Sequence, residues 1–230
     1  MFAETELDLL QKIIRQGLAG ALGETLLMTF VPTVLAFVIG LPLGVLLVTG
    51  EEGGIRPLPR WLMKALNTLI NILRSVPFLI LLIVVLPLSR VLVGTTVGTK
   101  AILAPLVIAA FPFVARLVET SIREVDAGVV EAAQSMGASN FEIVCKVLLP
   151  EAKPSLIMGA VISMVTILGY SAMSSTIGGT GLGQIAISYG HQRFNPDIKW
   201  ICVFLTVIIV QIIQELGTAI AHRSDKRIKE

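Results

Sequence analysis

Charge is scarce in this sequence. Only 15% of its 230 residues are Asp, Glu, Lys or Arg, against roughly 25% in an ordinary soluble domain. That shortage excludes a conventional water-soluble enzyme, because mean hydropathy reaches +0.85. Cysteine is nearly absent as well. Cys145 and Cys202 are the only two, too few for a disulfide framework, and both read as small packing residues. Histidine is limited to His191 and His222, which are far apart in the chain, so no metal site is expected. No G-x-x-x-x-G-K-[ST] stretch occurs, so the chain lacks that means of cradling ATP phosphates. Gly181-x-Gly183-x-x-Ala186 fits a relaxed dinucleotide fingerprint, but an apolar helical run precedes it instead of a strand, and the motif needs a βαβ unit.

What is present is long apolar runs. A helix needs about 20 mostly apolar residues to cross a bilayer, and five runs approach that length. They cover about Thr25–Val48, Leu66–Leu88, Thr99–Val118, Ser155–Ile177 and Trp200–Ala221. The expected fold is therefore all-α, a polytopic membrane helical bundle with about five spans. Several spans carry proline (Pro32, Pro42, Pro77, Pro105, Pro112), which membrane helices tolerate where neighbours satisfy the freed backbone. Gly40 and Gly44 have the small-xxx-small spacing that lets helices approach closely.

Three regions flank this core. Residues 1–24 carry Glu4, Glu6 and Asp8 early and lack the apolar core of a cleavable signal peptide. Leu7, Leu10, Ile14, Leu18 and Leu22 fall at helical spacing, which fits an amphipathic interfacial helix or simply the start of the first span. The transmembrane domain would be 25–221, with a polar loop at 119–154, and a basic tail would occupy 222–230. Lys and Arg cluster in the tail, in the loop after span three and in the loop after span one. By the positive-inside rule these are cytoplasmic, placing the N-terminus outside and the C-terminus inside.

The loop holds the most specific pattern. Val129–Met136 can form a short helix containing the small pair Ala132 and Ala133. Gly137 can take positive φ and stop it. Ser139, Asn140, Phe141 and Glu142 have capping-box spacing and start a second helix, with Phe141, Val144, Val147 and Leu148 expected on one side. Such a helix–turn–helix is too short to hold together alone. Two arrangements satisfy that: it docks on a partner, with Glu131 facing a basic or N–H donor group, or it folds back on its own membrane domain.

Glu131-Ala132-Ala133, then Gly137, then Val147-Leu148-Leu149-Pro150 resembles the EAA loop of binding-protein-dependent ABC importer permeases, written EAA-x3-G-x9-I-x-L-P, with valine replacing isoleucine at Val147. The resemblance runs from about Glu24 through the last span. Arg74-Ser75-Val76-Pro77-Phe78 is similar to a stretch of amino-acid permeases. Phe111–Arg116 with Glu119, Leu168–Met173 and Gly178–Gln184 look most like the methionine-importer branch. The resemblance implies a type I ABC importer transmembrane domain in a bacterial inner membrane, with no catalytic residues and no cofactor of its own. ATP and Mg would sit on a separate ATPase. It implies a homodimer, two ATP-binding subunits, an extracytoplasmic solute-binding protein and membrane lipid as partners, and no nucleic acid. Glu131, Ala132, Ala133, Gly137, Ser139, Phe141, Leu149 and Pro150 would form the ATPase-docking loop. Another amino acid or small polar solute, a gradient-driven carrier and a non-transporting scaffold are the alternatives.

Two further groups stand out. Tyr170, Ser171, Met173 and Ser174 make the end of span four polar where lipid would not favour it, and are candidates for lining a substrate pathway. Arg116, Glu119 and Arg123 are spaced for a helical ion network, and Arg74 falls within span two, where snorkelling to the interface competes with a functional role.

Overall fold

The computed structural model describes Gln11 and residues 17–225. Among these there are ten α-helices and no strands. Helix α1 (Leu18–Thr49) is followed by α2 (Arg60–Ser75), α3 (Phe78–Val93) and α4 (Thr99–Arg123). Next come α5 (Ala127–Ser135) and α6 (Asn140–Glu142), which runs on through a π-helical stretch (Ile143–Leu148) into α7 (Leu149–Glu151). Helix α8 (Lys153–Ser174) ends in a 3-10 turn (Ser175–Ile177). After a glycine-rich loop come α9 (Leu182–Ile185), a second π-helical stretch (Ala186–His191) and α10 (Pro196–Ser224).

Four helices (α1, α4, α8 with its 3-10 turn, and α10) are long and apolar enough to cross a membrane. The α2–α3 pair makes a fifth if it is counted as one broken span, bent by 107°. The sequence expectation of a single span over Leu66–Leu88 is therefore corrected. The break falls at Val76–Pro77, where Val76 is extended (φ −82°, ψ 123°). Proline lacks the N–H that would continue the helix and disfavours helical geometry in the residue before it. Local sequence does not single out this proline, because Val31–Pro32 is the same dipeptide inside the unbroken α1. What changes at Pro77 is composition: α2 carries a polar face, and α3 is apolar nearly throughout.

Helix α1 is already formed from Leu18, so Leu18–Glu24 belongs to the first long helix. The rest of the expected interfacial segment lies outside the described residues apart from Gln11 and Gly17. Helix α10 reaches Ser224, and Lys226, Arg227 and Lys229 of the expected tail are outside the described residues.

The chain divides into two compact units, and each of the four long helices contributes to both. The first unit comprises residues up to Thr33 with Pro77–Val107 and Met164–Ile212. Here the start of α1 is stitched to the glycine-rich loop. Leu182 N–H donates to Thr25 Oγ1 at 2.9 Å and Gly181 N–H donates to Glu24 Oε2 at 3.2 Å. Gly98 N–H donates to the Gly178 carbonyl at 2.9 Å, and the Thr99 and Thr180 hydroxyls lie 2.6 Å apart. Gly183 sits so close to Ala172 that an added Cβ would lie 2.7 Å from its Cα. That closeness explains the spacing which mimics a dinucleotide fingerprint.

The second unit comprises Val34–Val76, Ile108–Ser163 and the residues from Ile213 onward. Its centre includes Leu47, Ile70 and Ala115, packed by Leu43, Met63 and Leu66. The Gly40/Gly44 spacing has its expected use. A Cβ on Gly40 would lie 2.9 Å from the Phe111 carbonyl oxygen, and one on Gly44 2.6 Å from that of Ala115. Backbones of α1 and α4 thus meet where a methyl group has no room.

Gly44→Ala should therefore destabilise the purified protein by about 1–3 kcal/mol, the range for overpacking a close contact. Gly23→Ala, which meets nothing within 4 Å, should not. Thermal unfolding in detergent of the two variants against the parent measures the difference.

Candidate functional site: the helical elbow and the charge network above it

Helix α5 starts on Asp126, whose carboxylate accepts from Gly128 N–H at 2.7 Å. It ends in a left-handed turn. Gly137 has φ +80°, its N–H donates to the Gln134 carbonyl at 2.9 Å, and Ala138 N–H donates to the Ala133 carbonyl at 3.1 Å. That pair of bonds is the Schellman arrangement, which satisfies the last carbonyls of a helix and needs a residue without Cβ at the turn. Ser139 then caps α6. Its Oγ accepts from Glu142 N–H at 3.4 Å, while Ser139 N–H donates to Glu142 Oε2 at 3.1 Å. The joint, with the end of one helix and the start of the next, is thus specified by six consecutive residues, Gly137 to Glu142.

Lys146 Nζ reaches Glu142 Oε1 at 2.8 Å. This ammonium, together with the donated Ser139 N–H and hydroxyl, lowers the Glu142 carboxyl to about 2. A depressed carboxylate stabilises the folded elbow fully above its unfolded value, near 4.5. The contribution declines as pH falls below that and is gone below about 2.

The elbow's inner and outer faces differ from the sequence expectation. Ile143 and Leu148 are buried, with Ala133 and Ala152, whereas Phe141 is 76% exposed. The expected apolar side of Phe141, Val144, Val147 and Leu148 assumed an α-helical repeat. A π-helical stretch bonds i to i+5, which brings Ile143 and Leu148 onto one face and turns Phe141 away. Helix α5 packs on this stretch, so the elbow is partly self-packed. Its open surface carries Glu131, Ala132, Met136 (82% exposed), Gly137, Ser139 and Phe141, with Pro150 exposed and Leu149 half-buried at its end.

Directly before the elbow, α4 carries a connected polar network. Arg116 donates to Glu119 at 2.6 Å, and its other terminal nitrogen to the side-chain carbonyls of Asn67 at 2.8 Å and Asn71 at 3.0 Å. Arg123 donates to Glu119 at 3.0 Å and to Glu51 at 2.7 Å. The helical triad was legible in its spacing. Asn67, Asn71 and Glu51 were missed, being 49, 45 and 72 positions from their partners. The network ties α2 and the loop after α1 to the last turns of α4, and Ser121 and Ser155 hydroxyls join α4 to α8 at 2.9 Å.

In the first unit, the four pathway candidates separate. Ser171 is 2% and Ser174 0% exposed, and their hydroxyls donate to the carbonyls of Leu168 and Ser171. Tyr170 is half-buried and stacks on Phe78 with ring centres 4.4 Å apart. Met173 alone is exposed. Among the described residues no group of three or more His, Cys, Asp or Glu side chains is placed to hold a metal ion.

The model of the family described as "binding-protein-dependent transport system inner membrane component" matches residues 40–230. The chain belongs to that family. It is an inner-membrane, multi-pass permease component. It is similar to a probable D-methionine transport system permease protein MetI of Vibrio cholerae, 47% identical over 205 residues, covering 89% of this chain and 90% of the relative. It is also similar to the methionine import system permease protein MetP of Bacillus subtilis, 46% identical, covering 73% and 77%. Among solved structures, an inward-facing conformation of the MetNI methionine ABC transporter superposes with a TM-score of 0.88 at 43% identity, covering 91% of this chain and 96% of that one. The fold is thus that of a type I importer transmembrane domain.

Gly137→Ala places a side chain at positive φ, costing about 1–2 kcal/mol. Amide exchange across Ala127–Glu151 should accelerate roughly five- to thirty-fold where α5 and α6 open independently. Exchange unchanged in that segment would show that the turn does not hold the elbow.

Proposed function

We propose that this chain is the permease subunit of an ATP-driven importer that moves methionine, delivered by an extracytoplasmic binding protein, into the cytoplasm. Two copies of the chain pair about a two-fold axis, and each carries its elbow to one of two ATP-binding subunits. The N-terminus lies outside and the C-terminus inside. The observation that supports this reading is the elbow in a chain of this family: a capped helix pair whose open surface carries Met136 and Phe141. The substrate comes from the relatives' names, which agree on methionine at 44–49% identity.

The physical sequence is as follows. ATP closes the two ATPases on each other. Each draws its elbow along, with Glu131, Ala132 and Gly137 on the face toward the ATPase, Ala133 buried beneath it rather than on that face as expected, and Ser139, Phe141, Leu149 and Pro150 fixing the second helix and its return. The network Glu51–Arg123–Glu119–Arg116, joined to α2 through Asn67 and Asn71, carries that displacement to α4 and α2. The route then opens outward, and hydrolysis reverses it. To move a population from 1:99 to 99:1, ATP must favour one form by about 5.5 kcal/mol.

The test is reconstitution in proteoliposomes with the cognate ATPase and binding protein, with uptake of an amino-acid panel. Methionine uptake that requires ATP and all three components is the expected result. Uptake by this chain alone would instead make it a gradient-driven carrier, and uptake of another solute in preference would move the substrate. Glu131→Lys should cut uptake at least ten-fold with membrane insertion unchanged; wild-type uptake in that variant removes Glu131 from the docking face.

A further inference from the structure

Helix α2 has three faces. Leu62, Met63, Leu66, Ile70 and Leu73 turn inward. Trp61, Leu69 and Ile72 are apolar and exposed. Arg60, Lys64, Asn67, Asn71 and Arg74 recur at steps of four, three, four and three, which lines them along one side of a helix for roughly 20 Å. The members differ in what they hold. Arg60 is paired with Glu52. Asn67 and Asn71 accept from Arg116, a half-buried guanidinium already paired with Glu119. Lys64 and Arg74 are exposed, and neither has a hydrogen bond or ion pair among the described residues.

A helix lying on a membrane surface keeps a broad polar face in water and its apolar face in lipid. Here the apolar surface covers about two-thirds of the circumference, part against protein and part open, and the polar groups form a narrow strip between. That is the pattern of a helix bordering a confined aqueous space. The break that follows Arg74 agrees. Pro77 cannot donate to the Leu73 carbonyl, and Pro77 is exposed. Non-helical backbone at membrane depth is tolerated only inside protein or beside water. An ionisable group within a span likewise faces a cavity or a partner. The polar turn of α8 offers less to a solute, since the Ser171 and Ser174 hydroxyls are buried against backbone carbonyls.

We propose that the polar strip of α2 forms one wall of the solute route and that Arg74, at its head, receives the carboxylate of the transported amino acid. This rests on the amino-acid importer reading above. A guanidinium presents a planar fork of donors that matches a carboxylate with two parallel bonds. Lys64, ten residues along the same strip, supplies a second attraction as a point charge farther along the wall. Arg116 has its nitrogens occupied by Glu119, Asn67 and Asn71 and acts as the strip's support rather than as a ligand.

The experiment uses the full transporter in proteoliposomes, with Cys145→Ser to remove the exposed native thiol and Cys202 left buried. Arg74→Cys is expected to lose at least ten-fold in methionine uptake while still assembling with the ATPase. Treatment with a positively charged aminoethyl methanethiosulfonate should recover uptake several-fold, and the negatively charged sulfonatoethyl reagent should not. Ile72→Cys, on the apolar exposed face, should be unaffected by the sulfonatoethyl reagent. Wild-type uptake by Arg74→Cys, or equal effects of the two reagents on it, overturns the proposal. If Arg74→Cys does not assemble, Arg74→Lys and Arg74→Gln decide the matter: lysine within about ten-fold of the parent and glutamine far below supports it, and equal uptake by the two overturns it. A parent transporter that imports no amino acid defeats the importer reading instead, a result visible before any variant is made.

Discussion

Hydrocarbon supplies no hydrogen bonds, so a chain that lives in it must satisfy its own polar groups, and much of this structure follows from that constraint. Thr25, Thr29 and Thr33 are buried on one side of α1, each hydroxyl donating to the carbonyl four residues back. Ser163, Ser171 and Ser174 on α8 do the same over three or four residues. Hydroxyls satisfied this way cost little, leave no loose donor, and allow a polar residue to sit in a tight contact. Thr25 does more: the oxygen that donates to Ala21 also accepts from Leu182 N–H, so one side chain serves a helix and a loop 157 positions away.

Charges cannot be hidden so cheaply, and the chain gathers them. Arg116 and Glu119 are both less than one-quarter exposed, where an unpaired ion would cost several kcal/mol. Each is answered by more than one partner: Glu119 by Arg116 and Arg123 of its own helix, and Arg116 by Glu119 and by Asn67 and Asn71 of α2. Because the ions are confined to these connections, the same groups that make burial tolerable also hold α2, α4 and the loop after α1 in register. Rigidity in this unit is in part a by-product of desolvation.

Much of this was legible in the sequence for a plain reason: its signals are local. Apolar runs, the Gly40/Gly44 spacing, the Ser139–Glu142 capping box and the Gly137 stop each depend on residues within a turn or two. What was not legible depends on distance or on small departures from ideal geometry. The break at Val76–Pro77 cannot be told from the unbroken Val31–Pro32 without knowing that α2 is polar on one side. Ile143 was overlooked because a six-residue π-helical stretch changes the repeat by one residue per turn. The serines of α8 read as a polar face when only their residue type was visible, yet their hydroxyls turn back onto their own helix. Asn67 and Asn71 drew no notice, since an asparagine acquires meaning only when an arginine arrives beside it.

The Schellman turn and the capping box occupy Ala133 to Glu142 with no slack: each backbone bond at the joint counts a fixed number of positions. The elbow is in effect a ruler. One residue inserted after Gly137 would break the count on which both sets of bonds depend, so that the end of α5 and the start of α6 could no longer be satisfied by the same joint. Length in this short segment is therefore as much a part of the chemistry as residue type, and variation by insertion is tolerated far better in the loop after α1 than here.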